Sequence, residues 1–218
     1  KHINFNGVYD KDASLFPINI PSPHGHPSIA MLHRPLFPGT SPEEIVKLDK
    51  KHHVDLDHES IWISYCHLKH ETDSNYRHAI FTSHRRLARP EQPWEQLKIG
   101  AGAPPVLTKH GWMMVYHGVH ELQGSTKYKP YLCYSAGVMI LSETEPNKIC
   151  YRSTEAVLKP ELAEERIGTI ANVVFPTGID CRNDLGQPSR YDVYYGMADD
   201  CIGVAKMEIP ELLPGVHS

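Results

Sequence analysis

The sequence lacks the features of several large protein classes. It has no apolar run of about 18 residues, the length that a membrane-spanning helix needs. It has no excess of basic residues either, because 22 Lys and Arg stand against 26 Asp and Glu, for a net charge of -4. Nucleic-acid binding domains are typically basic. We therefore expect neither a membrane segment nor a nucleic-acid partner.

The cysteines and histidines do not follow a metal or disulfide pattern. The five cysteines are odd in number, widely spaced and without a C-x-x-C pair, which favours reduced, mostly buried thiols. The 15 histidines form local clusters around residues 24–26, 52–58 and 67–70, mostly in segments that we predict to be exposed loops. Because a metal site needs three or four converging ligands, we interpret these clusters as solvated and predict no metal.

The chain begins with Lys1 and has no apolar signal-type run, so we interpret its start as internal, as in a fragment or a processed chain. The sequence does not identify a cellular compartment. It also carries no glycine-rich nucleotide loop and no serine nucleophile elbow.

What the sequence does contain is a series of short segments rich in Ile, Val, Tyr, Trp and Phe, most of them bounded by Gly, Pro, Asp or Asn. This pattern predicts β-strands. A single helix is predicted to begin at Ser41-Pro42, where a cap residue precedes proline, and to end near His52. We expect one all-β domain over 1–218, with inserted loops at about 19–27, 35–59 and 69–77. The predicted strands are residues 28–33, 61–67, 79–83, 112–118, 131–140, 172–175, 191–196 and 202–208.

A weak internal repeat suggests how the strands are organised. The segments that begin at Ile29, Ile61, Trp112 and Tyr191 share alternating bulky residues and an end at or near an aromatic residue, His or Gly. Repeated short antiparallel strands favour a β-propeller, and an ordinary β-sandwich is the alternative.

Four side chains that we expect to be cationic lie at comparable places in these segments: Lys11, Arg34, Lys98 and His117. In a propeller the inner strands end near the central channel, where residues distant in sequence converge. The four would then form a pocket for a small anion such as phosphate. Taken one at a time, each is equally compatible with a solvated surface cation or a structural histidine.

The sequence resembles glycoside hydrolase family 130, the β-mannoside phosphorylases and mannosidases, over residues 9–207. The resemblance is carried by ordered motifs, beginning with Lys-Asp-Ala-Ser-Leu-Phe-Pro and Met-Leu-His-Arg-Pro. It implies a five-bladed β-propeller, of which this chain would cover about three blades, with the N-terminal blades missing. The family's general-acid aspartate would lie in that missing part. The six motifs are residues 11–17, 30–35, 98–105, 111–119, 172–178 and 194–199.

The resemblance also implies roles for individual residues. Phosphate would be bound by Arg34, Lys98 and His117. Lys11 would also bind phosphate, because it lies at a position where the family often carries arginine or lysine. A weaker match places Tyr128 near the phosphate. The sugar would be bound by Asp199 and by Asp12. Alternatively, Asp12 would orient Lys11. Because the hydrolytic members lose much of this basic set, its retention favours phosphate over water as the nucleophile.

The resulting hypothesis is an inverting phosphorylase that cleaves terminal β-mannosides with phosphate to give α-mannose 1-phosphate. The alternatives are a β-mannosidase of the same family and a non-catalytic carbohydrate-binding propeller. No cofactor is implied, since inorganic phosphate is a substrate. The ligands would be a β-mannosyl oligosaccharide and phosphate. The candidate protein partners are a second copy of this chain, in a homo-oligomer, or a chain that supplies the missing blades. A phosphorylase would favour the cytoplasm.

Overall fold

The computed structural model describes residues 9–36, 58–67, 80–126 and 130–214, and these form three antiparallel sheets. Short helical turns occupy Pro93–Glu95, Ala163–Arg166 and Asn183–Leu185. The all-β prediction is therefore confirmed. Among the described residues, no helix has the length and apolar character needed to cross a bilayer.

The first sheet contains strands β1 to β5, in the order β1-β3-β4-β5 with β2 paired to β3. Alternate residues of β3 and β4 pack Leu32, Ile61 and Ile63 into the main hydrophobic core. Branched and aromatic side chains fit such a pleated surface, which is why these segments become strands. The strands are Tyr9–Leu15, Ile20–Pro21, Pro27–Leu36, Ile61–His67 and Thr82–Ala88.

The second sheet contains β6 to β10, in the order β10-β9-β8-β6 with β7 also paired to β8. Its central strands, β8 and β9, are buried over most of their length. The third sheet is the meander β11-β12-β13. These strands are Lys98–Gly100, Val106–Thr108, Gly111–Glu121, Leu132–Leu141, Ile149–Arg152, Val174–Cys181, Arg190–Met197 and Cys201–Glu208.

Each predicted strand overlaps an observed one, and two of them start at least two residues later than predicted. The strand predicted at 79–83 begins at Thr82, and the strand predicted at 172–175 begins at Val174. Within the segment predicted to be an inserted loop at 19–27, Ile20 is buried and forms β2 with Pro21, so part of this segment is a hairpin arm. The predicted helix at 41–52 and the loop at 69–77 lie outside the described residues, as does nearly all of the loop at 35–59.

A repeated buried glutamate fastens a short helical turn to the second and third sheets. Glu95 accepts hydrogen bonds from the backbone N–H groups of Glu91 and Gln92 and from the Tyr116 hydroxyl. Glu165 likewise accepts from the N–H groups of Glu161 and Leu162 and from the Tyr195 hydroxyl. The same arrangement of a short helical turn, a buried glutamate and a tyrosine thus occurs in two successive sheets.

Candidate anion-binding site

Two sheets meet where the residues of the predicted anion pocket lie. Glu59 pairs in parallel with Lys98, and the N–H of Ile99 donates to the carbonyl of Glu59 at 3.1 Å. This junction joins the first sheet to β6 of the second. It brings the end of β3, which carries Arg34, close to the middle of β8, which carries His117.

A β-bulge turns Asp12 into the junction. Lys11 lies opposite Arg34, but the next paired residue is Ser14, opposite Leu32, so Asp12 lies in the irregular step between them. Its φ of 54° is in the left-handed region, which costs a non-glycine residue about 1–3 kcal/mol. Such strain persists where surrounding contacts impose it, and bulges commonly redirect a side chain at a site.

Arg34 is the charged centre of the site. Only 2% of this residue is exposed, its Nε lies 2.8 Å from Oδ2 of Asp12, and its Nη1 lies 3.1 Å from Oε2 of Glu59. The two carboxylates compensate the cost of burying the guanidinium. A buried arginine held in this way presents a fixed planar fork of N–H donors.

Four atoms of this cluster are buried and have no aligned hydrogen bond within the described structure. They are Nε and Nη1 of Arg34, Oδ2 of Asp12 and Nε2 of His117. Arg34 and Asp12 are thus close enough for an ion pair, but their relative orientation is not that of a hydrogen bond. Because buried polar groups are normally hydrogen-bonded, this concentration of unused donors and acceptors indicates a place for a polar ligand.

Gly100 is required by the close approach of these side chains. A Cβ at this position would lie 2.2 Å from Oδ2 of Asp12 and 2.4 Å from Cε1 of His117. Real Cβ atoms do not approach other atoms so closely. The glycine therefore allows β6 to pass directly against the cluster.

His117 is neutral, which corrects the expectation that it contributes a positive charge. Burial, followed by the nearby charge of Arg34, lowers the pKa of His117 to about 3. Its Nδ1 lies 3.2 Å from the carbonyl oxygen of Ala101, and a carbonyl only accepts, so Nδ1 carries the proton. Nε2 is then an acceptor, 3.6 Å from Oδ2 of Asp12.

This shift predicts a specific acid limb of stability. Between about pH 3 and pH 6.5 the unfolded chain binds a proton at His117 that the folded chain does not, so stability is lost as the pH falls through this window. One such proton corresponds to about 1.4 kcal/mol per pH unit. Urea unfolding at a series of pH values should show a smaller slope for His117→Gln than for the wild type. An equal slope in both proteins would contradict the neutral assignment.

The pKa of Asp12 is raised, whereas the pKa of an ordinary ion-paired carboxylate is lowered. Burial raises the pKa of Asp12, and the positive charges of Arg34, Lys11 and Lys98 only partly offset this effect. Asp12 and the Nε2 atom of His117 are both acceptors when Asp12 is ionised. A ligand hydroxyl can donate to only one of these two atoms, so satisfying both takes two separate donors.

The two lysines lie at the margin of the cluster. Lys98 is half-buried, with its Nζ 5.6 Å from the centre of the Tyr134 ring, and Lys11 is exposed opposite Arg34. The charges of both lysines act on Asp12 and His117. With Arg34, they give three positive charges against the two carboxylates of Asp12 and Glu59.

The structure does not bring every predicted residue to this place. Asp199 is exposed in the turn between β12 and β13, with a φ of 52°, and none of its described contacts joins it to the cluster. Tyr128 lies outside the described residues. The binding roles of all these residues stay predictions.

Three further residues belong to the site and were not singled out for it from the sequence. Glu59 pairs with Arg34, and the rings of Tyr134 and Phe175 lie 6.2 Å and 4.3 Å from the ring of His117. Tyr134 could have been found as the aromatic residue directly before the continuously buried part of β9. The Glu59 contact had no signal, because it depends on how two sheets meet.

No group of three or more His, Cys, Asp or Glu side chains lies close enough to hold a metal ion in the parts of the chain that the structure describes. The cluster itself offers the cations of Arg34 and the two lysines and the carboxylates of Asp12 and Glu59. Binding an anion through fixed arginine and lysine donors is what it can do best.

Comparison with known proteins identifies relatives of this arrangement. The family model of glycoside hydrolase family 130, described as beta-1,4-mannooligosaccharide phosphorylase, matches residues 8–217. A 1,2-beta-oligomannan phosphorylase from Thermoanaerobacter sp. is 32% identical over 205 residues, which are 93% of this chain and 52% of that protein. A beta-1,4-mannooligosaccharide phosphorylase from Ruminococcus albus is 36% identical over 62% of this chain and 38% of that protein.

Solved structures share the fold. The beta-1,2-mannobiose phosphorylase from Listeria innocua, in complex with beta-1,2-mannobiose, superposes with a TM-score of 0.64 and 23% identity, covering 91% of this chain and 44% of the other. A glycosyl hydrolase from Bacteroides ovatus gives a TM-score of 0.58 with 16% identity, covering 91% of this chain and 48% of that one. The chain thus spans about half the length, or less, of the relatives that it matches.

Proposed function

Because the chain belongs to glycoside hydrolase family 130, we propose that the protein is an inverting glycoside phosphorylase of terminal β-mannosides. Inorganic phosphate would be the nucleophile, and α-mannose 1-phosphate and a shortened saccharide would be the products. The observation that carries this proposal is the buried Arg34, whose Nε and Nη1 have no aligned hydrogen bond beside Lys98 and Lys11. The two relatives that are 36% and 32% identical to this chain over the matched residues are named as a beta-1,4-mannooligosaccharide phosphorylase and a 1,2-beta-oligomannan phosphorylase.

Each residue has a distinct task in this mechanism. The guanidinium of Arg34 binds phosphate oxygens through its fork, and Lys98 and Lys11 add point charges from the outer side. Neutral His117 accepts a hydrogen bond at Nε2 from the protonated oxygen of monohydrogen phosphate. Electrostatic fixation of this kind holds the attacking oxygen in position and limits the access of water to the anomeric carbon.

The bond changes follow from inversion. A phosphate oxygen attacks the anomeric carbon from the face opposite the glycosidic oxygen, and the bond between carbon and glycosidic oxygen breaks as the new bond forms. The departing oxygen takes a proton from a general acid, a role that we assign to none of Arg34, Lys98 and His117. We assign sugar binding to Asp12 and Asp199, and a further phosphate contact to Tyr128, as parts of the same proposal.

The fold proposal is a five-bladed β-propeller, to which this chain contributes three sheets. The repeated glutamates Glu95 and Glu165 and the two parallel bridges, Glu59 with Lys98 and Tyr134 with Val173, support it. Both bridges join one sheet to the next in the same sense along the chain. That is the arrangement of successive blades in a repeat architecture.

The proposal is tested by incubating the full-length protein with β-1,2- and β-1,4-mannobiose, with and without inorganic phosphate. We expect mannose 1-phosphate to form only when phosphate is present. Free mannose, released at the same rate without phosphate, would show a β-mannosidase and refute the proposal. Saccharide binding without any turnover would show a carbohydrate-binding protein instead.

A further inference from the structure

Four polar side chains outside the anion cluster form a continuous hydrogen-bonded row across the first sheet. Oδ2 of Asp10 lies 2.6 Å from Nδ1 of His33, and Nε2 of the same ring lies 2.6 Å from the hydroxyl of Ser64. The Ser64 hydroxyl is in turn 2.6 Å from Nδ1 of His84. The row therefore connects β1, β3, β4 and β5, one residue from each strand.

The local backbone is built for this contact. Ile63 pairs with Arg85 and Tyr65 pairs with Thr82, so two residues of β5, Ser83 and His84, oppose the single residue Ser64. Ser83 has a φ of 53°, in the left-handed region. A bulge with this strain is the usual means of redirecting a side chain, and here it brings the His84 ring to Ser64.

The two middle members of the row are buried, and the two end residues are only partly covered. Ser64 and His33 are 0% and 1% exposed, whereas Asp10 and His84 are both half-buried, with 8% of the Asp10 side chain exposed. Water does not reach His33 directly. A proton that reaches it therefore has to pass along the row or wait for the sheet to open.

The hydrogens can be placed in two complete ways. With protonated His84, its Nδ1–H donates to Ser64, the Ser64 hydroxyl donates to Nε2 of His33, and Nδ1–H of His33 donates to Asp10. With protonated His33, its Nε2–H donates to Ser64, and the Ser64 hydroxyl donates to Nδ1 of His84. Both arrangements contain the same number of protons and satisfy all three links.

One arrangement converts into the other by two short transfers. The N–H bond at Nδ1 of His84 breaks as an O–H bond forms on Ser64, and the original O–H bond of Ser64 breaks as an N–H bond forms at Nε2 of His33. The positive charge moves from His84 to His33, where the carboxylate of Asp10 stabilises it. No heavy atom has to change place.

We propose that Asp10, His33, Ser64 and His84 form a proton relay. It carries a proton from His84, at one end of the row, to His33, which lies on the strand that holds Arg34. In this role the four are positioning residues, which act on the anion cluster through charge and do not touch its ligand. His33 directly precedes Arg34, and Asp10 directly precedes Lys11.

Several charged groups of the described strands lie around the relay. Asp10 from β1 and His84 from β5 face His33 directly. Arg34 follows it on β3 and is compensated by Asp12 and Glu59. On β5, Arg85 and Arg86 follow His84, and Arg85 is exposed. A proton at His33 therefore adds a positive charge on the strand of Arg34, balanced chiefly by Asp10.

The resemblance of Asp10, His33 and Ser64 to a catalytic triad does not make Ser64 a nucleophile. Its hydroxyl is completely buried and lies between two imidazole nitrogens, each at 2.6 Å. No side of that oxygen is open to an acyl group. The geometry suits the passage of a proton and excludes the attack of a substrate.

Nitrogen NMR of the imidazole rings tests the relay without reference to activity. In the full-length protein labelled with ¹⁵N-histidine, the rings assigned through His33→Gln and His84→Gln should titrate together, each partly, because one proton is shared. In Ser64→Ala the His33 ring should lose this response, and Ser64→Thr should restore it. Ser14→Ala removes a buried hydroxyl without a described partner from the same sheet and is the matched control.

Independent titration of His33 and His84 in the wild type, or a response of His33 that survives Ser64→Ala, would overturn the relay. The titration of the wild-type protein needs no variant of Ser64, so it tests the relay even if Ser64→Ala fails to fold. The expected effect on phosphate rests on the proposed function. As the pH is lowered and the relay takes up its proton, the phosphate KM should fall severalfold, and Ser64→Ala should flatten this dependence on pH. Joint titration without phosphorolysis would leave the relay intact and refute only the proposed function.

Discussion

Replacing Arg34 by lysine is expected to raise the KM for phosphate about 100-fold while leaving the protein folded. Lysine keeps the charge that Asp12 and Glu59 need, but it lacks the planar fork that can hold two oxygens of one anion. A hydrogen bond to a charged group contributes about 1.5–3 kcal/mol, and each 1.4 kcal/mol is a factor of ten. Initial rates at a series of phosphate concentrations measure the change.

The matched control is Arg85→Lys, which makes the same replacement at an exposed position in the same sheet. It should leave the phosphate KM unchanged. Thermal unfolding of both variants separates a loss of binding from a loss of fold. If the phosphate KM of Arg34→Lys stayed within about threefold of the wild-type value, the proposed binding of phosphate by the guanidinium fork would be contradicted. A loss of about 1.4 kcal/mol of binding free energy already raises KM by a factor of ten.

Replacing Gly100 by alanine is expected to abolish most of the activity and to lower stability as well. The added Cβ would need to occupy space that Oδ2 of Asp12 and Cε1 of His117 now fill, at 2.2 and 2.4 Å. Overpacking of a buried site costs about 1–3 kcal/mol. Displacement of positioning groups by about 1 Å can cost about 100-fold in rate, so kcat/KM should fall by at least this factor.

Gly178→Ala is the control for this variant, because its Cβ would meet no atom closer than 3.6 Å. We expect its kcat/KM and its unfolding midpoint to be close to those of the wild type. If Gly100→Ala kept full activity, the site would have to tolerate a shift of Asp12 and His117, and the close packing would have no functional meaning. Calorimetry and steady-state rates on the two variants provide the comparison.

Eight of the thirteen described strands could be predicted because their signal is local, whereas β1, β2, β6, β7 and β10 were not predicted. The segment predicted at 61–67 is found as Ile61–His67, since its bulky residues are both strand formers and core residues. The strand predicted to begin at 79 begins at Thr82 instead. Its start is set by pairing with β4 and by the bulge at Ser83, and neither the pairing nor a left-handed φ at serine has a signal in the sequence.

The site could be predicted only in part. The motifs selected Arg34 and His117, which the structure places around Asp12, but they did not show that His117 is neutral. Charge state depends on burial and on neighbours from other strands, which a linear pattern does not contain. The contact of Glu59 with Arg34 escaped prediction for the same reason.

Long-range polar contacts were the least predictable feature. His33 and Ser64 lie in segments that look like ordinary core strands, and nothing local indicates that they bond each other. By contrast, the repeated glutamates Glu95 and Glu165 follow similar Pro-Glu pairs in the sequence. A search for repeated polar residues as well as repeated apolar ones would have found them.

The most direct test of the account is a crystal structure of the full-length protein with inorganic phosphate and mannose. The account predicts phosphate at the junction of the first two sheets, with its oxygens within hydrogen-bonding distance of Arg34 and Lys98 and one oxygen at Nε2 of His117. Phosphate bound elsewhere, or a junction occupied by the sugar with no phosphate at saturating concentration, would contradict the assignment of this cluster as the site of the nucleophile.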